Sequence, residues 1–211
     1  MAVEIERKYL VADPSVVAGL TGVRMAQGYI ADNGMWVRVR IAGSTGFLTL
    51  KGPSRGLSRA EFEYEIPLAD AEALLADHCA HGALDKVRYI VPVDGFDFEV
   101  DVFEGPLAGL ITAEIELAHE GVVPPAPAWL GAEVTSDLRY SNSQLAKTRQ
   151  VPQAGVLAVQ GSSGKQVAEE AEGAKDHAGT HGDRPVAWSP AQEAARSPAR
   201  ALRWRKCLRA A

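Results

Sequence analysis

The residues best equipped for chemistry in this chain come as like charges spaced two apart. Glu4 and Glu6 are followed by Lys8, and further on lie Arg38 and Arg40, Glu61, Glu63 and Glu65, Lys86 and Arg88, Glu99 and Asp101, and Glu114 and Glu116. Apolar residues interleave them: Val37 and Val39, Phe62 and Tyr64, Val100 and Val102, Ile115 and Leu117. Residues two apart on a strand share a face, so each segment offers one apolar face and one charged face. A half-exposed sheet would account for a single strand of this kind. Solvent faces usually mix signs, however, and here whole strands are cationic or anionic although like charges on one face repel. The segregation has a reason if the charged faces line a lumen. Cations there would grip a polyanion, and carboxylates would hold hard divalent cations.

The elements that must position these pairs read as short strands at 4–11, 24–31, 36–41, 47–51, 61–66, 86–93, 96–103 and 110–117. Gly, Pro, Asn or Asp bound most of them, and Asp32-Asn33-Gly34 and Asp94-Gly95 are hairpin signals. Eight strands with tight connections predict an antiparallel sheet curled on itself or closed into a barrel. Two helical inserts are expected at 69–80 and 140–147, the second after the cap-like Thr135-Ser136-Asp137. They would cover part of the apolar outer face.

Composition narrows the function classes. The net charge of −5 is uneven: residues 1–150 hold 13 Lys/Arg against 21 acids, net −8, and residues 151–211 hold 9 against 6, net +3. A body at −8 is poorly suited to nucleic acid, whose affinity comes mainly from phosphate neutralisation. Acids and bases among the first nine residues leave no apolar stretch for a signal peptide, and no run is long enough to span a bilayer. With Cys79 and Cys207 the only cysteines, a reducing cytoplasm is the expected compartment. Residues 1–150 read as one domain. Residues 151–211, rich in Ala, Gly, Ser and Pro, read as a mostly disordered extension with a short helix near 191–208.

Other signals carry less. His78, Cys79 and His81 lack further ligands nearby and read as a helix end. Neither a Walker A loop nor G-x-G-x-x-G is present, so P-loop and Rossmann nucleotide binding have no support. The basic 200–209 stretch reads as solvated tail.

The opening Glu4-Ile-Glu-Arg-Lys-Tyr-Leu-Val resembles the signature of the CYTH, or triphosphate tunnel metalloenzyme, family. In order follow Arg38-Val-Arg40, Leu50-Lys51-Gly52, Glu61-Phe-Glu63-Tyr-Glu65, Lys86-Val-Arg88, Asp101 and Glu114-Ile-Glu116, with Trp129-Leu-Gly and Tyr140-Ser-Asn-Ser closing the match over about 2–147. The resemblance implies an eight-stranded antiparallel barrel whose basic set binds a triphosphate and whose acids bind Mg²⁺ or Mn²⁺. It implies phosphate contacts from Lys8, Arg38, Arg40, Lys51, Lys86 and Arg88, and metal ligation, direct or through water, by Glu4, Glu6, Glu61, Glu63, Asp101, Glu114 and Glu116. Glu65 and Glu99 share the appropriate faces. A water oriented by Glu4/Glu6 or Glu61/Glu63 is the expected nucleophile, with Lys8 as the alternative base and Tyr29 beside it in a lysine–tyrosine arrangement.

Hydrolysis of inorganic tripolyphosphate is the leading expectation. The inward positions offer charge and little to stack on an organic ring. The alternatives are an enzyme acting on an organic triphosphate (thiamine triphosphatase, nucleoside triphosphatase or adenylate cyclase) and a polyphosphate or nucleotide sensor without catalysis, against which the full acidic set argues. A small-molecule triphosphate is the expected partner, with neither nucleic acid nor membrane.

Overall fold

A computed structural model of the protein describes residues 3–32, 34–53 and 56–153. The expected 151–211 extension falls almost wholly outside the described residues. The elements are β1 (Val3–Val11), β2 (Val23–Asp32), β3 (Trp36–Ala42), β4 (Thr45–Lys51), β5 (Ser58–Ile66), α1 (Leu68–Asp77), β6 (Leu84–Val93), β7 (Phe96–Phe103), β8 (Ile111–Glu116), β9 (Leu130–Glu133) and α2 (Asn142–Thr148). The strand order is β5-β4-β3-β2-β6-β7-β8-β1-β9, and β1 also pairs with β5. Strands β1 to β8 therefore close into the expected eight-stranded antiparallel barrel.

Closure is brief. β5 pairs with β1 only at Val3, Glu4 and Ile5, and β9 then pairs with β1 at Tyr9 and Val11. β9 was not expected from sequence: its four residues, Leu-Gly-Ala-Glu, carry no alternating pattern. It forms because an edge strand with unpaired backbone groups gains from any segment that can cover it. Sharp turns hold the hairpins. Asp94 and Gly95 both take positive φ, 45° and 85°, as a two-residue type I′ turn between β6 and β7 requires.

Both helices lie close to their expected places. α1 ends at Asp77, and the N–H of His78 closes the last turn on the Leu74 carbonyl at 3.1 Å. It seats on the outside of the barrel where β2 and β4 carry glycine. A Cβ on Gly46 would sit 2.7 Å from the Ala71 Cβ, and one on Gly28 would sit 2.5 Å from the Cys79 sulfur. α2 begins after a separate 3₁₀ turn at Leu138–Tyr140, and the Ser141 hydroxyl accepts from the Gln144 N–H at 3.2 Å.

The apolar core is divided by the barrel wall. Outside, Phe98, Val100, Ala113 and Ile115 pack with Tyr9 and Val91 under Val16, Val17, Val122 and Trp129. Phe98 meets Trp129 edge to face at 5.1 Å. Inside, Val23, Met25, Ala42 and Phe47, at the start of β2, end of β3 and start of β4, fill one end of the lumen. Leu84, Phe103, Leu107 and Leu110, with Tyr140 and Leu145, fill the other side. Between these groups the lumen is polar.

Candidate active site

Two ion-pair networks line the lumen. The first spans β1, β3, β4 and β5. With Val39 pointing out to the core, Arg38 and Arg40 point in, and both reach Glu63 Oε2, at 3.0 and 2.6 Å. The Thr49 hydroxyl donates to the same oxygen at 2.9 Å, as its register opposite Glu63 dictates. Lys51 Nζ bridges Glu4 Oε2 at 3.0 Å and Glu61 Oε2 at 2.9 Å. Arg59, on β5, donates from Nε to Glu4 at 2.8 Å and from Nη2 to Glu6 at 3.0 Å.

The second network spans β1, β6, β7 and β8. Arg88 makes a two-pronged contact with Asp101, and also reaches Glu99 and, at 2.9 Å, Glu114. Lys86 Nζ lies 2.5 Å from Asp101 Oδ2. Lys8 Nζ contacts Glu114 Oε1 at 2.8 Å and donates to the Tyr140 carbonyl at 3.0 Å. The pairing follows from register, since Lys8 opposes Glu114 and Arg88 opposes Asp101. Buried charges persist only with such partners.

Between the networks lies a cavity of about 240 Å³. Lys8, Arg38, Lys51 and Arg88 line it, with Glu6, Glu114 and Tyr29. Arg40 and Lys86 stand behind this layer, Arg40 over the Phe47 ring and Lys86 over the Phe103 ring, each at 5.5 Å. Glu63 and Asp101 lie with them as the inner counter-charges, while Glu4 and Glu61 are held by Lys51. Glu116 is directly opposite Glu6 across β1 and β8. Glu99 joins the Arg88 cluster, whereas Glu65, opposite Phe47, is exposed. The Tyr29 hydroxyl accepts from Gln27 Nε2 at 3.3 Å.

The cavity also holds residues that the pairwise reading passed over. Arg59 sits two positions before Glu61 and Trp36 two before Arg38, so the same alternation that selects their neighbours includes them. No alternation marks Asn142, Gln144 or Lys147, which α2 brings to the same cavity.

Burial and neighbours set the protonation of these groups. Burial lowers the Lys86 ammonium to about 7 against the pull of Asp101, and burial lowers Lys51 as well. Burial raises the Glu6 carboxyl, and Glu4 and Glu114 add to the effect. Burial pushes the Tyr29 phenol up to about 12. Burial also opposes charge on Glu114 and Asp101, but their cationic neighbours prevail and hold both below the usual range: Lys8 and Arg88 for Glu114, Arg88 and Lys86 for Asp101. Arg59 is raised although burial pulls it down, because Glu6 and Glu4 outweigh that cost.

The donor set suits a hard divalent cation. The acids facing the cavity are carboxylates alone, without the His or Cys that softer metals prefer. Glu6 is crowded by Glu4 and Glu114 and faces Glu116 across the ladder, a concentration of negative charge that a cation would relieve. Among the described residues no three acids converge on one point as a ready cage. Their oxygens are distributed over the lysines and arginines instead.

Known proteins give the arrangement its context. The CYTH domain family matches residues 2–148. An inorganic triphosphatase of Acetivibrio thermocellus is 45% identical over 148 residues, covering 70% of this chain and 95% of that protein. An inorganic triphosphatase of Nitrosomonas europaea is 39% identical over 149 residues, 68% of this chain and 96% of that protein. The crystal structure of the inorganic triphosphatase NE1496 superposes with a TM-score of 0.51 at 35% identity, covering 70% of this chain and 96% of that one. With its charged strands in the family's order and closed into one lumen, the chain belongs to the CYTH domain family.

Proposed function

We propose that the protein is an inorganic triphosphatase, a metal-dependent hydrolase of tripolyphosphate. The observation that carries this reading is the cavity bounded by Lys8, Arg38, Lys51 and Arg88 on facing walls, with Glu6 and Glu114 among them. Both relatives described above bear that activity in their names.

Lys8, Arg38, Lys51 and Arg88 bind the phosphate oxygens and lessen the repulsion that shields phosphorus from a nucleophile. Arg40 and Lys86, from the layer behind, pair with Glu63 and Asp101 and fix them, so the front layer keeps its geometry. Of the two acid pairs placed to orient water, Glu4/Glu6 is favoured over Glu61/Glu63. Glu6 faces the cavity and its basicity is raised, whereas Glu63 accepts from Arg38, Arg40 and Thr49. The Glu6 carboxylate takes the proton of a water that attacks a terminal phosphorus, the P–O–P bond breaks, and orthophosphate and pyrophosphate are the products. Glu4, Glu6, Glu61 and Glu114, with Glu116 adjoining, would hold a divalent cation, Mg²⁺ or Mn²⁺, which would supply charge neutralisation on the phosphoryl oxygens. The buried free thiol of Cys79 suits a reducing cytoplasm.

Trp36 and Tyr29 favour an organic substrate, since they offer rings at the cavity. Phosphate release from tripolyphosphate, thiamine triphosphate, ATP and pyrophosphate, each with Mg²⁺ or Mn²⁺, tests the reading. Tripolyphosphate should be turned over fastest. Faster turnover of ATP, or cyclic AMP among the products, would replace it with the organic-triphosphate reading, and tight binding without hydrolysis would make the protein a sensor.

A further inference from the structure

Among the described residues seven strand cations face the lumen, and Arg59 differs from the other six in its surroundings. The side chains of the six are at most 9% exposed, whereas that of Arg59 is 24% exposed. It lies within the short β1–β5 seam as the partner of Glu4, next to Ile5 and Ser58, the last pair before β1 leaves β5. It borders the main cavity and also a smaller one of about 120 Å³ lined by Leu57, Thr135 and Asp137. Its guanidinium spans Glu4 and Glu6, the acids nearest the point where negative charge is most crowded. A cation already occupies the space between the two carboxylates best suited to a metal.

Resting on the triphosphatase reading above, we infer that Arg59 is an exchange residue that couples divalent-cation binding to substrate binding. In the metal-free protein its guanidinium neutralises Glu4 and Glu6. When those carboxylates take a divalent cation, Arg59 releases them and turns into the adjoining cavity, where it becomes a further donor to the phosphate chain. Three observations support this. A guanidinium and a divalent cation cannot share the same carboxylate oxygens without repulsion. Glu4 retains Lys51 when Arg59 leaves, so the acid pair keeps a partner during the exchange. The long side chain already borders open space on both sides of the seam, so it has room to swing without displacing core residues. A guanidinium suits this task because it is always charged and binds either carboxylate or phosphate with two donors.

The test uses the full chain, with Arg59→Ala and Arg59→Gln, thermal melting to verify folding, and calorimetric titration with MnCl₂ and with sodium tripolyphosphate. Exchange predicts effects of opposite sign. Without substrate, Mn²⁺ should bind the variants more tightly, by about fivefold or more, because the competing cation is gone. With Mn²⁺ present, tripolyphosphate should bind about fivefold or more weakly, because a donor is lost. A fixed tether that positions Glu4 and Glu6 would instead weaken Mn²⁺ binding in both variants, and that result overturns the proposal, as does unchanged Mn²⁺ affinity. If wild type fails to bind tripolyphosphate, the triphosphatase reading fails by itself, and the Mn²⁺ titration still decides whether Arg59 competes with the cation. Should Arg59→Ala not fold, Arg59→Gln, which keeps a polar side chain of similar reach, carries both measurements.

Discussion

Arg88 and Asp101 oppose each other across the β6–β7 ladder and meet through two hydrogen bonds, Nε to Oδ1 at 2.6 Å and Nη2 to Oδ2 at 2.5 Å. Asp101 is fully buried and is also the acceptor for Lys86. One carboxylate therefore holds two buried cations.

Asp101→Ala should destabilise the protein by about 3–5 kcal/mol, because it leaves Lys86 and Arg88 buried with a charge uncompensated. Glu133→Ala, which breaks the partly exposed pair with Arg7 at 3.3 Å, should cost less than about 1 kcal/mol. Urea unfolding of both variants measures the contrast. Equal losses would mean that the inner layer does not carry the stability assigned to it.

Removing a carboxylate and removing a cation should have separable effects. Glu61→Gln and Glu114→Gln should largely abolish turnover and leave tripolyphosphate binding intact or tighter, since neither deletes a phosphate donor. Arg38→Ala should weaken binding roughly tenfold or more through loss of a charge-assisted contact. Calorimetry alongside phosphate release distinguishes them, and weakened binding in the glutamine variants would contradict the division of labour.

The lowered Lys86 pKa predicts a pH dependence of stability. Below about 7 the lysine is protonated in both folded and unfolded chains, so it contributes no slope, and the cost of burying its charge is fully present. Between about 7 and the ordinary lysine value of 10.5 the unfolded chain holds the proton and the folded chain does not. Stability then rises with pH, by up to about 1.4 kcal/mol per unit from this group. Urea midpoints from pH 7 to 10 should rise less steeply in Lys86→Met than in wild type. Identical slopes would show that Asp101 keeps Lys86 charged throughout.

Residues 1–150 are proposed as a self-sufficient unit, since the strands, helices and charged pairs described lie between Val3 and Thr148. A chain ending after Gln153 should fold and retain tripolyphosphate hydrolysis. Loss of soluble expression or a lowered melting temperature would assign the remaining residues a share in covering the barrel.

Strand alternation made much of this site legible in advance. Because side chains change face at every residue, Arg38 and Arg40 had to share one side and Val37 and Val39 the other, whatever the fold. Eight alternating segments with tight turns left a closed antiparallel sheet as the economical way to bury the apolar sides, and the barrel observed agrees. The same rule reached Arg59 and Trp36, which were passed over because they do not belong to like-charged pairs.

Tertiary structure alone decided which charge meets which. Alternation assigns a face but not a depth, and register together with strand tilt placed Lys8, Arg38, Lys51 and Arg88 at the cavity, Arg40 and Lys86 behind them, and Glu65 in the open. β9 and the inward seat of α2 arise from contacts distant in sequence, an unpaired edge on β1 and an apolar pocket around Leu84 and Phe103, which no local pattern encodes. The span of Arg59 from Glu4 to Glu6 exists only because β1 and β5, more than fifty residues apart, close the barrel there. Local periodicity depends on the geometry of one strand, whereas ion pairing in the lumen depends on where closure brings opposite walls together.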